Sequence, residues 1–234
     1  TPWHLVVNFT GPHNPMDVTA SMRARWEHEA FEAPHDNDES DREGLLRNRQ
    51  NYAAMIENID AQVGRFVQAV EARGELENTI VIYASDHGEL LGDHGRWGKS
   101  TWHQPSVGVP LVIAGPEVAE GATCAAPVVL HDLPVWLLER AGSRPLPDAD
   151  GRSLQPLLSD ASADHREVVV SGLDDWRAAT DGHHKLVVQK GQEDRLFDLD
   201  ADPWEDANLA QDAPPVGALL RRALVEEAGE SWAG

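Results

Sequence analysis

The stretch that decides the fold is an apolar, β-branched run that leads directly into a polar loop containing glycine: Ile80-Val81-Ile82-Tyr83-Ala84 and then Ser85-Asp86-His87-Gly88-Glu89. A continuous run of this kind predicts a strand that is covered on both faces. Upstream, apolar side chains in residues 45–73 recur every three or four positions, which predicts a long amphipathic helix. Residues 4–10 read as another buried strand. Strand, helix and strand in this order form a βαβ unit, so we expect a mostly parallel sheet flanked by helices.

The chain changes character near residue 160, where long apolar runs give way to short ones separated by polar turns. The remaining predicted elements are a surface loop (16–41), strands (110–115 and 128–129), a helix (132–138), three short strands (167–171, 185–189 and 196–199) and a last helix (218–227). We therefore expect an α/β core over residues 1–160 and a small α+β subdomain with an antiparallel sheet over residues 161–234.

The composition excludes several classes of partner. The 234 residues carry 19 Lys and Arg against 40 Asp and Glu, a formal net charge of −21, which repels both nucleic acid and anionic membrane surfaces. No apolar stretch reaches the ~18 residues that a membrane span needs. The single cysteine, Cys124, forms no intrachain disulfide, and we expect it to be a small buried residue. These features indicate a soluble chain; a cytoplasmic location is favoured, with periplasmic or secreted locations left open.

The residues with chemical potential cluster after the predicted strands. Asp86 and His87 offer a carboxylate and an imidazole to one divalent cation, although on their own they equally suit a helix cap and a packed histidine. His13 follows the first predicted strand, and the carboxyl ends of parallel strands lie at the same edge of a sheet. Lys99 stands just beyond the glycine-containing loop. Metal, lysine and histidine together suit an anionic ester: two groups stabilise charge and the third serves the leaving oxygen.

These motifs resemble type I sulfatases of the alkaline-phosphatase superfamily, over roughly the C-terminal two-thirds of that family's length. The segments that carry the resemblance are Gly11-Pro12-His13-Asn14-Pro15, residues 58–65, residues 78–81, Ser85-Asp86-His87-Gly88-Glu89, Gly92-Asp93-His94-Gly95, Lys99 with Val109-Pro110-Leu111, Asp132-Leu133-Pro134, and Leu196-Phe197-Asp198-Leu199 with Asp202-Pro203-Trp204-Glu205. The resemblance implies an alkaline-phosphatase-like α/β core and hydrolysis of a sulfate ester to an alcohol and sulfate.

The resemblance also implies a role for each site residue. Asp86 and His87 become ligands of a divalent cation, usually calcium, with manganese or magnesium as alternatives because His87 is more typical of choline sulfatases and phosphonate monoester hydrolases. Lys99 binds the sulfate oxygens, and His13 binds sulfate or protonates the leaving alcohol. The substrate is a small-molecule or carbohydrate sulfate ester. His94 and His103 are further candidates for lining the pocket.

One departure from the family pattern is important. The sulfatase nucleophile is a formylglycine made from Cys or Ser in a Cys/Ser-x-Pro-x-Arg motif, and neither Cys124 nor Ser143 stands in such a motif. The first aspartate pair of the metal site is also missing. We therefore expect formylglycine only in a missing N-terminal part and expect the 234-residue chain alone to be inactive. Pairing with such a segment and a homo-oligomer are both left open.

Three other functions can be weighed against the sequence. A phosphonate monoester or phosphodiester hydrolase of the same superfamily is favoured by His87. A non-catalytic sulfatase-like chain would keep the fold for binding. A zinc hydrolase of the alkaline-phosphatase type needs more histidine and aspartate ligands than the sequence supplies.

Overall fold

The computed structural model describes residues 2–212 and 214–232. The chain forms two compact units, Thr1–Ile80 with Gly88–Lys99, and Val81–His87 with Ser100–Gly234. The predicted boundary near residue 160 stays a prediction. In the described part of the chain, no helix combines the length and the hydrophobicity that a membrane crossing requires.

The first unit is built on one long helix. This helix, α2 (Arg42–Ala72), confirms the helix predicted over residues 45–73. Asp41 caps it, since its Oδ1 accepts a hydrogen bond of 2.9 Å from the backbone N–H of Gly44. A shorter helix, α1 (Ala20–Trp26), packs against α2 within the predicted surface loop, where no helix was expected. The Trp26 Nε1 group donates a 2.8 Å hydrogen bond to Glu57 on α2.

The buried strand predicted over residues 4–10 is wrong. The segment has neither helix nor strand structure, and Leu5, Val6 and Val7 are 61%, 65% and 41% exposed. Apolar side chains specify a preference for burial, but a strand also needs a neighbour that accepts and donates backbone hydrogen bonds. Among the described residues, no strand pairs with this segment.

The second unit begins with two paired strands, β1 (Val81–Ala84) and β2 (Leu111–Ala114), which confirm two of the predicted strands. Their predicted burial on both faces is wrong, because no residue of either strand is fully buried and Val112 is 60% exposed. They run antiparallel, with Val81 opposite Ala114. Every strand pair in the described residues is antiparallel, so the mostly parallel core is not confirmed. Residues 128–129 form no strand. A short helix, α3 (Gln104–Val107), lies between the two strands in the chain, and two more, α4 (Asp132–Arg140) and α5 (Gln155–Ser159), follow them.

The predicted antiparallel sheet is confirmed, with one more strand than expected. Its four strands, in spatial order, are β3 (Val169–Leu173), β4 (Trp176–Thr180), β5 (His184–Gln189) and β6 (Arg195–Asp198). The last helix, α6 (Pro215–Ala228), packs against this sheet and buries Leu220 and Leu224 completely. The sheet and the helices together make a mixed α/β fold.

Candidate active site

His13 and Lys99 meet in the first unit. The Lys99 Nζ lies 2.7 Å from the His13 Nε2, and the His13 Nδ1 lies 2.7 Å from the backbone oxygen of Asn14. An ammonium group only donates hydrogen bonds, and a carbonyl oxygen only accepts them. Nε2 is therefore the acceptor, and the proton of the neutral imidazole sits on Nδ1. The two residues predicted to bind sulfate are in direct contact.

The loop that carries Lys99 is closed by backbone contacts and by one carboxylate. Glu89 Oε1 accepts hydrogen bonds from the backbone N–H groups of Leu91 (3.1 Å) and Gly98 (2.6 Å). The backbone N–H of Leu90 donates to the oxygen of Gly98 at 3.0 Å. Leu90 is completely buried and anchors the start of the loop. Both backbone polar groups of the residue before Lys99 are thus held.

A part-buried ion pair attaches the same loop to α2. Asp93 Oδ1 lies 2.7 Å from Arg49 Nη2 and also accepts a 2.9 Å hydrogen bond from the backbone N–H of His35. Arg49 Nε donates to the oxygen of Leu91 at 3.2 Å. Asn37, which is 7% exposed, donates to the oxygen of Gly92. Part of the predicted surface loop therefore packs against the loop that carries Lys99.

The loop that carries His13 rests on the same helix. A Cβ atom on Gly11 would lie only 2.9 Å from Cε of Met55 and 3.7 Å from Cδ1 of Ile59. Gly11 therefore lies directly against the Met55 and Ile59 side chains of α2. One helix thus supports both His13 and Lys99.

Asp86 and His87 belong to the second unit, directly after β1. The Asp86 Oδ1 and the His87 Nε2 are 3.8 Å apart, with 88% and 29% of the respective side chains exposed. Ser85 Oγ donates a 2.7 Å hydrogen bond to the oxygen of His87. Two atoms bound to one ion at the usual calcium distances lie at most about 5 Å apart, so this pair fits as two ligands of one cation. Within the described residues, no group of three or more His, Cys, Asp or Glu side chains is arranged to hold a metal.

The two other histidine candidates are packed among protein side chains. The His94 ring meets the His35 ring edge-on, with centroids 5.5 Å apart. His103, which is 8% exposed, stacks on Trp102 at 3.8 Å, and its Nδ1 lies 3.0 Å from Thr101 Oγ1. A role for either histidine in lining a pocket stays a prediction. Cys124 is exposed, so its predicted burial is wrong.

Sequence reasoning missed a buried ion pair on the four-stranded sheet. Lys185 Nζ lies 2.5 Å from Glu205 Oε1, and the two side chains are 1% and 0% exposed. Lys185 also donates to the oxygen of Trp102 (2.9 Å) and to Gln104 Oε1 (3.1 Å), and Glu205 Oε2 accepts from the backbone N–H of Gln104. Burial lowers the pKa of Lys185, and the carboxylate of Glu205 opposes that effect. A lone lysine inside an apolar run was the available signal.

A second buried pair holds the start of α4. Both carboxylate oxygens of the fully buried Asp132 accept hydrogen bonds from Arg166 and from the backbone N–H groups of Val129 and Arg152. Burial alone would raise the pKa of Asp132, but these hydrogen bonds outweigh it and hold the pKa below its ordinary value. This aspartate therefore stays ionised inside the protein.

Comparison with solved structures identifies the structural class of this chain. Solved structures with the alkaline-phosphatase-like fold superpose well on this chain. One is a protein in complex with its substrate D-glucosamine-2-N,6-O-disulfate; it is 26% identical with a TM-score of 0.73, and the match covers 78% of this chain and 40% of that one. Another is the phosphonate monoester hydrolase of Agrobacterium radiobacter, which is 29% identical with a TM-score of 0.67, over 80% of this chain and 41% of its own. The fold is thus that of the alkaline-phosphatase superfamily of hydrolases.

The family follows from the sequence match. The sulfatase family model matches residues 1–143, and the choline-sulfatase of Rhizobium meliloti (strain 1021) is 30% identical over 99% of this chain and 51% of its own length. The chain belongs to the sulfatase family. It spans about half the length of the curated relatives it matches first.

Proposed function

We propose that the protein containing this chain is a sulfatase that hydrolyses a sulfate ester to an alcohol and sulfate. The observation that carries the proposal is the 2.7 Å contact between His13 Nε2 and Lys99 Nζ, inside the segment that matches the sulfatase family. A cation beside a proton-carrying imidazole suits an ester whose sulfuryl oxygens are anionic and whose leaving group is an alkoxide.

Lys99 and His13 have different roles in the proposed reaction. The Lys99 ammonium donates hydrogen bonds to the sulfuryl oxygens, whose negative charge grows as the ester bond breaks. When the sulfuryl oxygens take over the hydrogen bonds of Lys99, His13 Nε2 is released and takes up a proton from solvent. The resulting imidazolium gives its Nε2 proton to the departing alkoxide, which becomes an alcohol, and returns to the neutral Nδ1–H form. The Nδ1–H bond to Asn14 keeps the ring oriented while Nε2 gains or loses its proton.

Asp86 and His87 would hold the divalent cation, which we propose to be calcium. Carboxylate oxygen is the ligand that calcium prefers, whereas the imidazole nitrogen of His87 also suits manganese. When bound, the cation supplies positive charge that polarises the sulfuryl group. A formylglycine nucleophile is proposed for the complete protein, together with a mostly parallel core over residues 1–160 and a separate subdomain over residues 161–234.

The test uses protein expressed from the complete coding sequence. Wild type, Lys99→Ala and His13→Ala are assayed with aryl, choline and carbohydrate sulfate esters, and peptide mass spectrometry searches for formylglycine. We expect turnover by the wild type and a loss of at least about 100-fold in kcat/KM for Lys99→Ala. Folded wild-type protein that hydrolyses none of these esters would contradict the proposal. A bound stoichiometric cation that Asp86→Asn removes would support the metal assignment, and a folded, metal-free, inactive protein would favour a non-catalytic chain.

A phosphonate monoester or phosphodiester hydrolase is the second candidate. It is favoured by the similarity to the phosphonate monoester hydrolase of Agrobacterium radiobacter, which is 29% identical over the superposed part. The chemistry is related, because both ester classes present anionic oxygens to Lys99 and release an alkoxide. Comparing kcat/KM for sulfate, phosphonate and phosphodiester analogues with the same leaving group distinguishes the two functions.

A further inference from the structure

We propose that Glu89 is a positioning residue, which fixes the backbone beside Lys99 and thereby holds the Lys99 ammonium against the His13 imidazole. The inference rests on the proposed function, since it assigns His13 and Lys99 to substrate binding. Glu89 acts on this pair through the backbone of Gly98.

The carboxylate of Glu89 is placed to hold two peptide groups, one at each end of the loop. Its Oε1 receives two backbone N–H groups from residues seven positions apart, Leu91 and Gly98, and the hydrogen bond to Gly98 is short at 2.6 Å. A charged acceptor strengthens such bonds. The carbonyl of Gly98 is simultaneously held by the N–H of Leu90, which is fully buried.

Gly98 needs this support because its own conformation is permissive. Its φ is +76°, in the left-handed region, and glycine samples many alternatives at little cost. The long stem of Lys99 loses rotamer entropy when its Nζ takes one position. Fixing the peptide before Lys99 removes one source of that freedom.

The base of the loop and the partner histidine are both attached to α2. Arg49 on α2 holds Asp93 and the carbonyl of Leu91, and Gly11, in the chain leading to His13, lies against Met55. With these two anchors in place, the Glu89 contact closes the loop at the end nearest Lys99. The three attachments together account for a 2.7 Å contact between side chains 86 positions apart.

Two variants distinguish the effect of the length of the Glu89 side chain from the effect of its charge. Glu89→Gln keeps an acceptor oxygen at the same distance from the backbone and removes the charge. Glu89→Asp keeps the charge but is shorter by one methylene, so its oxygen falls short of the Gly98 N–H by about 1.5 Å. Glu71→Asp, on the exposed end of α2, is the matched control.

The first readout is independent of catalysis. Nitrogen-15 NMR of the histidine rings in the 234-residue chain reports which nitrogen of His13 carries the proton. We expect the Nδ1–H form in wild type, Glu89→Gln and Glu71→Asp, and an increased Nε2–H population in Glu89→Asp and in Lys99→Met. Should Glu89→Asp fail to fold, Gly98→Ala displaces the same peptide through its disfavoured φ, without touching the carboxylate. The proposal is overturned if Glu89→Asp keeps the Nδ1–H form of His13, or if Glu89→Gln loses it.

The second readout uses the protein expressed from the complete coding sequence. We expect kcat/KM for a sulfate ester to fall about 10- to 100-fold in Glu89→Asp, mostly through a higher KM, and to stay within about threefold of wild type in Glu89→Gln. Equal kcat/KM values in the two variants would contradict the positioning role. If the wild type hydrolyses no ester, the proposed function fails, whereas the NMR result still decides what Glu89 does.

Discussion

Removing one partner of the Lys185–Glu205 pair should be among the most destabilising single substitutions in the second unit. Lys185→Met keeps the length of the side chain but leaves the Glu205 carboxylate fully buried without its cation. Three hydrogen-bonding contacts of the ammonium, with Glu205, Trp102 and Gln104, are lost together. Breaking a buried ion pair in this way costs about 3–5 kcal/mol.

The assay is urea unfolding followed by tryptophan fluorescence. With a slope near 3 kcal/mol/M, at the upper end of the usual range, the cost corresponds to a decrease in the midpoint of roughly 1–1.7 M. Trp102 and Trp176 report on this region, because the backbone of Trp102 accepts from Lys185 and Trp176 donates to the backbone of Ser100.

A double-mutant cycle tests the cause. Glu205→Gln removes the carboxylate charge and retains an acceptor for the Gln104 N–H, so the Lys185→Met, Glu205→Gln double variant should be more stable than Lys185→Met alone. We expect a coupling free energy of at least about 1.5 kcal/mol. A loss below about 1 kcal/mol in the single variant, or additive losses in the double variant, would refute the reasoning.

Three further predictions concern the rest of the fold. The pKa of Asp132 is held below its ordinary value near 3.9. The stability that this carboxylate contributes is therefore complete above that pH and is lost as the pH falls through the lower pKa of the folded state. In Asp132→Asn, acid unfolding monitored by circular dichroism should lose part of its pH dependence. Gly92→Ala should lower stability by about 1–3 kcal/mol in urea unfolding, since φ is +93° and the new Cβ would lie 3.0 Å from Pro34; unchanged stability would contradict the strain argument. Asp41→Ala should cost about 1 kcal/mol by removing the cap of α2, and Asp41→Asn should recover most of it.

The elements that the sequence predicted well are those whose pattern is local. The helix α2 follows from the spacing of its apolar residues, and the strands β1 and β2 follow from continuous apolar runs. Strand β4 was missed because Trp176-Arg177-Ala178-Ala179-Thr180 contains few β-branched residues, although the sheet buries most of it. The segment 4–10 was placed wrongly, because an apolar run does not reveal which strand it pairs with.

In the candidate site, too, residue types could be predicted from the sequence, whereas long-range contacts could not. The types of His13 and Lys99 suggested anion chemistry, and the structure brings these two side chains together. The groups that hold them, such as Arg49 with Asp93, are 44 positions apart and have no spacing that a single sequence could display. The pairing of Lys185 with Glu205 was not predicted for the same reason: the apolar run around Lys185 hinted at burial, but nothing in the sequence shows that Glu205 is its partner.

Because both loops attach to α2, the local stability of this helix also determines how firmly His13 and Lys99 are kept in contact. Gly11 contacts the helix at Met55 and Arg49 lies six residues earlier, about 9 Å along the axis, so the two attachment points span less than two turns. Local opening of those turns would release both loops at once. The hydrogen-exchange protection of amides 49–59 therefore measures the free energy with which the protein keeps His13 and Lys99 in contact.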